Sequence, residues 1–120
     1  MANPNIVNIS SIFGKTVGSV LGIAVTTGIL TCSSNKILRV NSIIAANIDG
    51  VANADVTVSF YDSSSTTTYP IANTITVPAD STLIVLGRDS SIYLEESDEI
   101  RGGASAVGKL NLVISYEEIS

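Results

Sequence analysis

An all-β fold is predicted by three observations. Short apolar runs recur every 8–12 residues between turn-forming clusters, as in sandwiches and barrels. Val, Ile and Thr dominate those runs, and their branched side chains favour a pleated strand. No stretch places apolar residues at the spacing of a helix face. The prediction is one antiparallel β-sandwich of about eight to ten short strands, with the jelly roll among its possible arrangements. At 120 residues the chain is the size of one domain. It divides into an N-terminal arm or edge strand over residues 1–11 and the sandwich over residues 12–120.

Taken in order, MANPNIVNISS opens the chain. Pro4 biases Asn3 towards an extended backbone, and Ile6, Val7 and Ile9 suit a short strand or an arm that docks on a partner. Residues 16–35 are uncharged and lie between Lys15 and Lys36. A transmembrane helix, a signal peptide and a lipoprotein leader all fit them poorly. Glycine and hydroxyl residues interrupt the apolar run, no basic region precedes it, and small residues are missing before Cys32. Gly14, Gly18 and Gly22 repeat at four-residue spacing, a helix-packing pattern in membranes. The clustered β-branched residues Val20, Ile23, Val25, Thr26, Thr27 and Ile29 instead predict two strands, with Gly22 and Gly28 at a bulge or turn.

KILRVNSIIAANI predicts a long strand with a bend near Asn41-Ser42, Leu38 and Val40 sharing one face and Ile44, Ala46 and Ile48 another. Asn47 to Gly50 supplies a turn. ADVTVSFY alternates Val56, Val58 and Phe60 against Thr57, Ser59 and Tyr61, a half-buried strand. DSSSTTT is a polar connection. Ile75 and Val77 begin the next strand, and Ala79-Asp80 turns into Leu83–Leu86, whose continuous apolarity predicts a central strand covered on both faces. Ile92 and Leu94 form a short strand before the acids. KLNLVISYE closes the chain with Leu110, Leu112, Ile114 and Tyr116 on one face.

Composition narrows the chemistry. Charged residues make up 14% of the chain, well under the roughly 25% of ordinary soluble domains. Three cations meet two acids in residues 1–60, and three meet nine in residues 61–120. With no basic stripe, nucleic-acid binding is not expected. The chain has no histidine, so Ser-His-Asp and Cys-His catalysis and histidine metal sites are excluded. A lone Cys32 forms no internal disulfide and suits a reducing compartment, as a small buried hydrophobe.

The one dense polar cluster is Glu95, Glu96, Asp98 and Glu99. Paired carboxylates serve glycoside hydrolysis only when they converge on one sugar, and adjacent strand residues point to opposite faces. The spacing is not that of a calcium-binding EF-hand loop. A solvated turn is the simpler expectation, with Asp98 hydrogen-bonding locally. Ser33-Ser34, Ser63–Ser65 and Ser90-Ser91 lack a histidine to activate them. Arg101-Gly102-Gly103 lacks the strand–loop–helix setting of a phosphate cradle. Tyr61, Tyr69, Tyr93 and Tyr116 suit core filling or interface anchoring better than a sugar platform. No enzyme, cofactor or metal site is expected.

The opening MANPNIVNISSIFGKT, the middle ITVPADSTLIVL with SSIYLEESDEIR, and the ending LNLVISYEEIS together resemble small virion structural proteins of tailed bacteriophages, those of cyanobacterial and other marine phages in particular. The resemblance spans nearly the whole chain and rests on no single motif. It implies a particle component, foremost a capsid decoration (cement) protein that binds the major capsid protein lattice as a homotrimer in the virion, after assembly in the host cytoplasm. A neck or tail subunit and a virion-surface carbohydrate-binding module are the alternatives. No nucleic acid or membrane is an expected partner. Ile6, Val7 and Ile9 are the expected docking residues, with Glu117, Glu118 and Ile119 at a second contact.

Overall fold

The computed structural model describes residues 10–120. Nine strands follow one another: β1 (Ile12–Val20), β2 (Gly28–Thr31), β3 (Ile37–Asn47), β4 (Ala54–Asp62), β5 (Thr67–Val77), β6 (Thr82–Leu86), β7 (Ile92–Leu94), β8 (Glu99–Ala104) and β9 (Leu110–Ile119). A single 3-10 turn, Arg88–Ser90, separates β6 from β7.

These strands form two antiparallel sheets, as the sequence predicts. The first, here sheet A, runs β1-β9-β3-β6, with β7 also against β3; sheet B runs β2-β8-β4-β5. The pairing is that of one long hairpin rolled up. β1 pairs with β9, β2 with β8, β3 with β6 and β7, and β4 with β5. Rolling then adds β3–β9 and β4–β8. This nested order is the jelly roll.

The core between the sheets is aliphatic. Leu38, Val40, Ile43 and Ala45 of β3, with Leu110, Leu112 and Ile114 of β9 beside them, face Val56 and Val58 of β4 and Ile100 of β8, all at 2% exposure or less. The expected bend in β3 is a bulge: the β3–β9 register shifts between Val40 and Ser42. The extra residue moves the inward set from Leu38 and Val40 to Ile43, Ala45 and Asn47. Ile44 and Ala46 consequently face outwards, and Ile48 lies beyond the strand, 55% exposed.

Two expectations need correction. Thr82–Leu86 is an edge strand rather than a central one, and Ile84 is 67% exposed. Its apolar run reflects an uncovered outer face rather than double burial. The cluster from Ile23 to Thr27 is a loop, because β2 begins only at Gly28. Two carbonyls of that loop, Gly22 and Thr27, accept from Ala104 and Gly102, so isolated bonds stand where a longer β2 would have made a ladder. Pro70 lies within β5, the outer strand of sheet B, where a missing N–H is tolerated.

Candidate functional site

The acidic corner is a structural clip. Asp98 is buried at 4% exposure. Its Oδ1 accepts from the Ser63 amide at 3.0 Å and the Ser63 hydroxyl at 3.2 Å, and its Oδ2 accepts from the Glu95 amide at 3.0 Å. The backbone adds Cys32 N–H to Asp98 O and Ser97 N–H to Cys32 O. The Asp98 carboxylate thereby ties the β4–β5 hairpin to the β7–β8 turn, and the backbone bonds of Asp98 and Ser97 to Cys32 add the β2–β3 connection. Its neighbours diverge. Glu96 accepts from the Asn35 amide, and Glu99 pairs with Arg101. Among the described residues no three acids or cysteines gather closely enough to hold a metal ion.

Cys32 is buried, its thiol donating to the Lys36 carbonyl at 3.2 Å. Burial pushes its pKa up to about 11, so the thiol stays protonated near neutrality and is a poor nucleophile.

Of the expected docking residues, Ile6, Val7 and Ile9 lie outside the described residues. The other three are engaged within the chain. Glu118 bridges Lys15 at 3.3 Å and Lys36 at 2.8 Å. The hydrogen bond from Lys36 chiefly, and then that from Lys15, hold that carboxyl below its ordinary range. Ile119 is buried between Ile12 and Ile37. Glu117 pairs with Arg39 at 3.6 Å.

The tyrosines separate. Tyr61 lies beneath the Arg101 guanidinium, 3.8 Å from its ring centre, and Tyr116 packs against the core. Tyr69 and Tyr93 instead flank one apolar groove of about 240 Å³, completed by Phe60, Pro70, Ile71 and Ile92. It opens where β5 and β7 bring the two sheets' margins together.

The outward face of sheet A exposes two apolar rows. Cross-strand register aligns Gly18, Val113, Ile44 and Ile84 in one row across β1, β9, β3 and β6. The next row is Val20, Asn111, Ala46 and Thr82. Val20 is 63% exposed and Ile84 67%. Asn111 Oδ1 is buried without a hydrogen-bond partner among the described residues; such an acceptor costs about 1–3 kcal/mol until a donor arrives. Past the β3 bulge the same face turns polar, with Arg39, Asn41, Ser42, Arg88, Ser115 and Glu117 around a cleft of about 350 Å³.

Sequence reading sensed Ile44 and Ala46 as one face but not its outward direction. Parity depends on the bulge at Asn41, and the row forms only through pairing with distant strands. Compared with known families, curated proteins and solved structures, the chain matches none.

Proposed function

We propose that this chain is a bacteriophage virion structural protein that decorates the capsid, binding the major capsid protein through the outward face of sheet A. The observation carrying the reading is that face: an apolar half spanning four strands, beside a polar half, with no strand or loop of the described chain laid across it. Apolar rows rimmed by polar groups mark protein contacts more often than catalysis. The resemblance to phage particle proteins supplies the partner. A jelly roll suits the role because it presents two broad faces from a small core, although fold alone does not assign function. Residues Ile6, Val7 and Ile9 would add an arm to a neighbour's sheet edge.

Copy number in purified particles tests the reading. Decoration requires copies on the order of hundreds, one set per repeated lattice position. A single ring's worth would place the protein in the neck or tail instead. Removing residues 2–9 is expected to leave a folded protein that no longer binds particles; undiminished binding would remove the arm from the account.

A second reading draws on the groove between Tyr69 and Tyr93, 51% and 46% exposed. Exposed aromatic rings stack on sugars, so a carbohydrate-binding role predicts glycan-array binding that Tyr69→Ala and Tyr93→Ala abolish. Silence across the array would dismiss it.

A further inference from the structure

The four sheet margins are not equally protected. Proteins normally blunt such edges, since a row of free N–H and C=O groups invites another strand. On β5 the edge carries Pro70, a left-handed Thr74 at φ 54°, and two register shifts against β4. β2 is four residues long and irregular in register. The β6–β7 edge is interrupted by the Arg88–Ser90 turn. β1 has none of these devices. It is nine residues long, runs in unbroken register with β9 from Ile12 to Val20, and has no strand on its other side among the described residues.

Its sequence, IFGKTVGSV, is symmetric about Thr16 at alternate positions, which share one face: Ile12 with Val20 and Gly14 with Gly18. An antiparallel copy centred there would set Ile12 against Val20, Gly14 against Gly18, and Thr16 against Thr16. Ile12 and Val20, 54% and 63% exposed, would then cover one another. Lys15 would meet Val17 rather than a second lysine, and its charge is already paired with Glu118. Opposed threonines and opposed aliphatic residues both favour strand pairing.

The glycines give an independent reason. Gly14 and Gly18 have no left-handed backbone angle, and a Cβ added to either would meet nothing within 4 Å among the described residues. Folding of the single chain therefore needs neither. Glycine in a strand weakens it, and often marks the approach of another backbone. We propose that β1 pairs antiparallel with β1 of a second copy about a two-fold axis at Thr16, joining the two A sheets into one. Such a contact is isologous, the same patch serving both copies. It stands whether or not the partner beneath is a capsid.

Register-specific crosslinking with the full-length protein tests the pairing. Thr16→Cys, oxidised with diamide, is expected to give a covalent dimer. Gly14→Cys alone and Gly18→Cys alone should stay monomeric on denaturing gels, while their equimolar mixture links. The unsubstituted protein, with only the buried Cys32, should not link. Thr16→Lys opposes two cations at the axis and should weaken the dimer roughly tenfold or more in analytical ultracentrifugation, with an unchanged melting curve at concentrations where both proteins are monomeric. Linking of Gly14→Cys to itself would overturn the register. A monomer at all concentrations, or a trimer indifferent to Thr16→Lys, would overturn the pairing itself. A dimer that vanishes when residues 2–9 are removed would assign the contact to the arm and overturn it too.

Discussion

The two outward faces of this sandwich are built from the same kind of strand and finished differently. On sheet B the face is partly covered by the chain's own loop, and its polar groups are largely satisfied within the chain. Arg101 lies over Tyr61 and pairs with Glu99, and Thr57 accepts from the Thr74 amide. The loop between β1 and β2 runs along β8, so close that a Cβ on Gly103 would fall 2.8 Å from the Ala24 carbonyl oxygen. On sheet A nothing described crosses the rows of Gly18, Val113, Ile44 and Ile84. The difference teaches where the molecule is incomplete. An apolar face that costs solvation and is covered by no described part of its own chain is the surface we propose for a partner.

The sharpest break of that comparison uses one glycine from each face. Gly103→Val should destabilise the fold by about 2–3 kcal/mol, since the branched side chain must displace the loop backbone at Ala24. Gly18→Val meets open space among the described residues, and should be neutral or stabilising by up to about 1 kcal/mol. Urea denaturation of both variants measures the contrast. Equal losses would mean that sheet A's face is more crowded, or sheet B's more yielding, than the geometry indicates.

Smaller in energy but more direct for function is a charge placed on each face. Ile84→Asp puts a carboxylate into the exposed apolar row and should weaken particle binding at least about thirtyfold, the scale of an interface hot spot. Thr68→Asp, on an exposed position of β5 beside Tyr61, should change binding by less than about twofold, as expected for a position outside the contact. Neither should move the melting temperature by more than about 2 °C, because both side chains are already in solvent. Co-sedimentation with capsids lacking the protein reads the difference. If Thr68→Asp were the more damaging, the docking face would be on sheet B.

Much of the fold was legible because strand patterning is local. β4 and β9 show period-two alternation in their own residues, and the β3 bend is marked by Asn41-Ser42 within an otherwise apolar run. What misled was covering, which is not local. Leu83–Leu86 is apolar on both faces, and only the strand order shows one of those faces open to solvent rather than buried. Asp98 looked like any of four neighbouring acids. Its burial depends on Ser63, 35 residues away, arriving with two donors. Likewise Asn47 looked like turn chemistry, yet it is buried and its amide donates to the carbonyls of Ala52 and Val77. No spacing in the sequence encodes such meetings.

The smallest effect sharpens the comparison at the margin of sheet A, where charges add to the packing of Ile12, Ile119 and Ile37 that joins three strands. Glu118 of β9 reaches Lys15 of β1 and Lys36 just before β3, and its carboxyl is held below the ordinary glutamate value of 4.5. A carboxylate with a lowered folded-state pKa adds stability above the unfolded-state value, and loses it as pH falls through the folded-state one. Glu118→Gln should therefore cost roughly 0.5–1 kcal/mol at pH 7, the scale of a partly exposed ion pair. The deficit should hold above the unfolded-state value of 4.5 and close as pH falls through the lowered folded-state one, where the glutamate becomes protonated and nearly isosteric with glutamine. Added salt should narrow the gap at neutral pH in the same direction. A deficit that persisted undiminished in acid would show that the side chain acts by packing between β1 and β3, and that the rim of this sheet is held like its face.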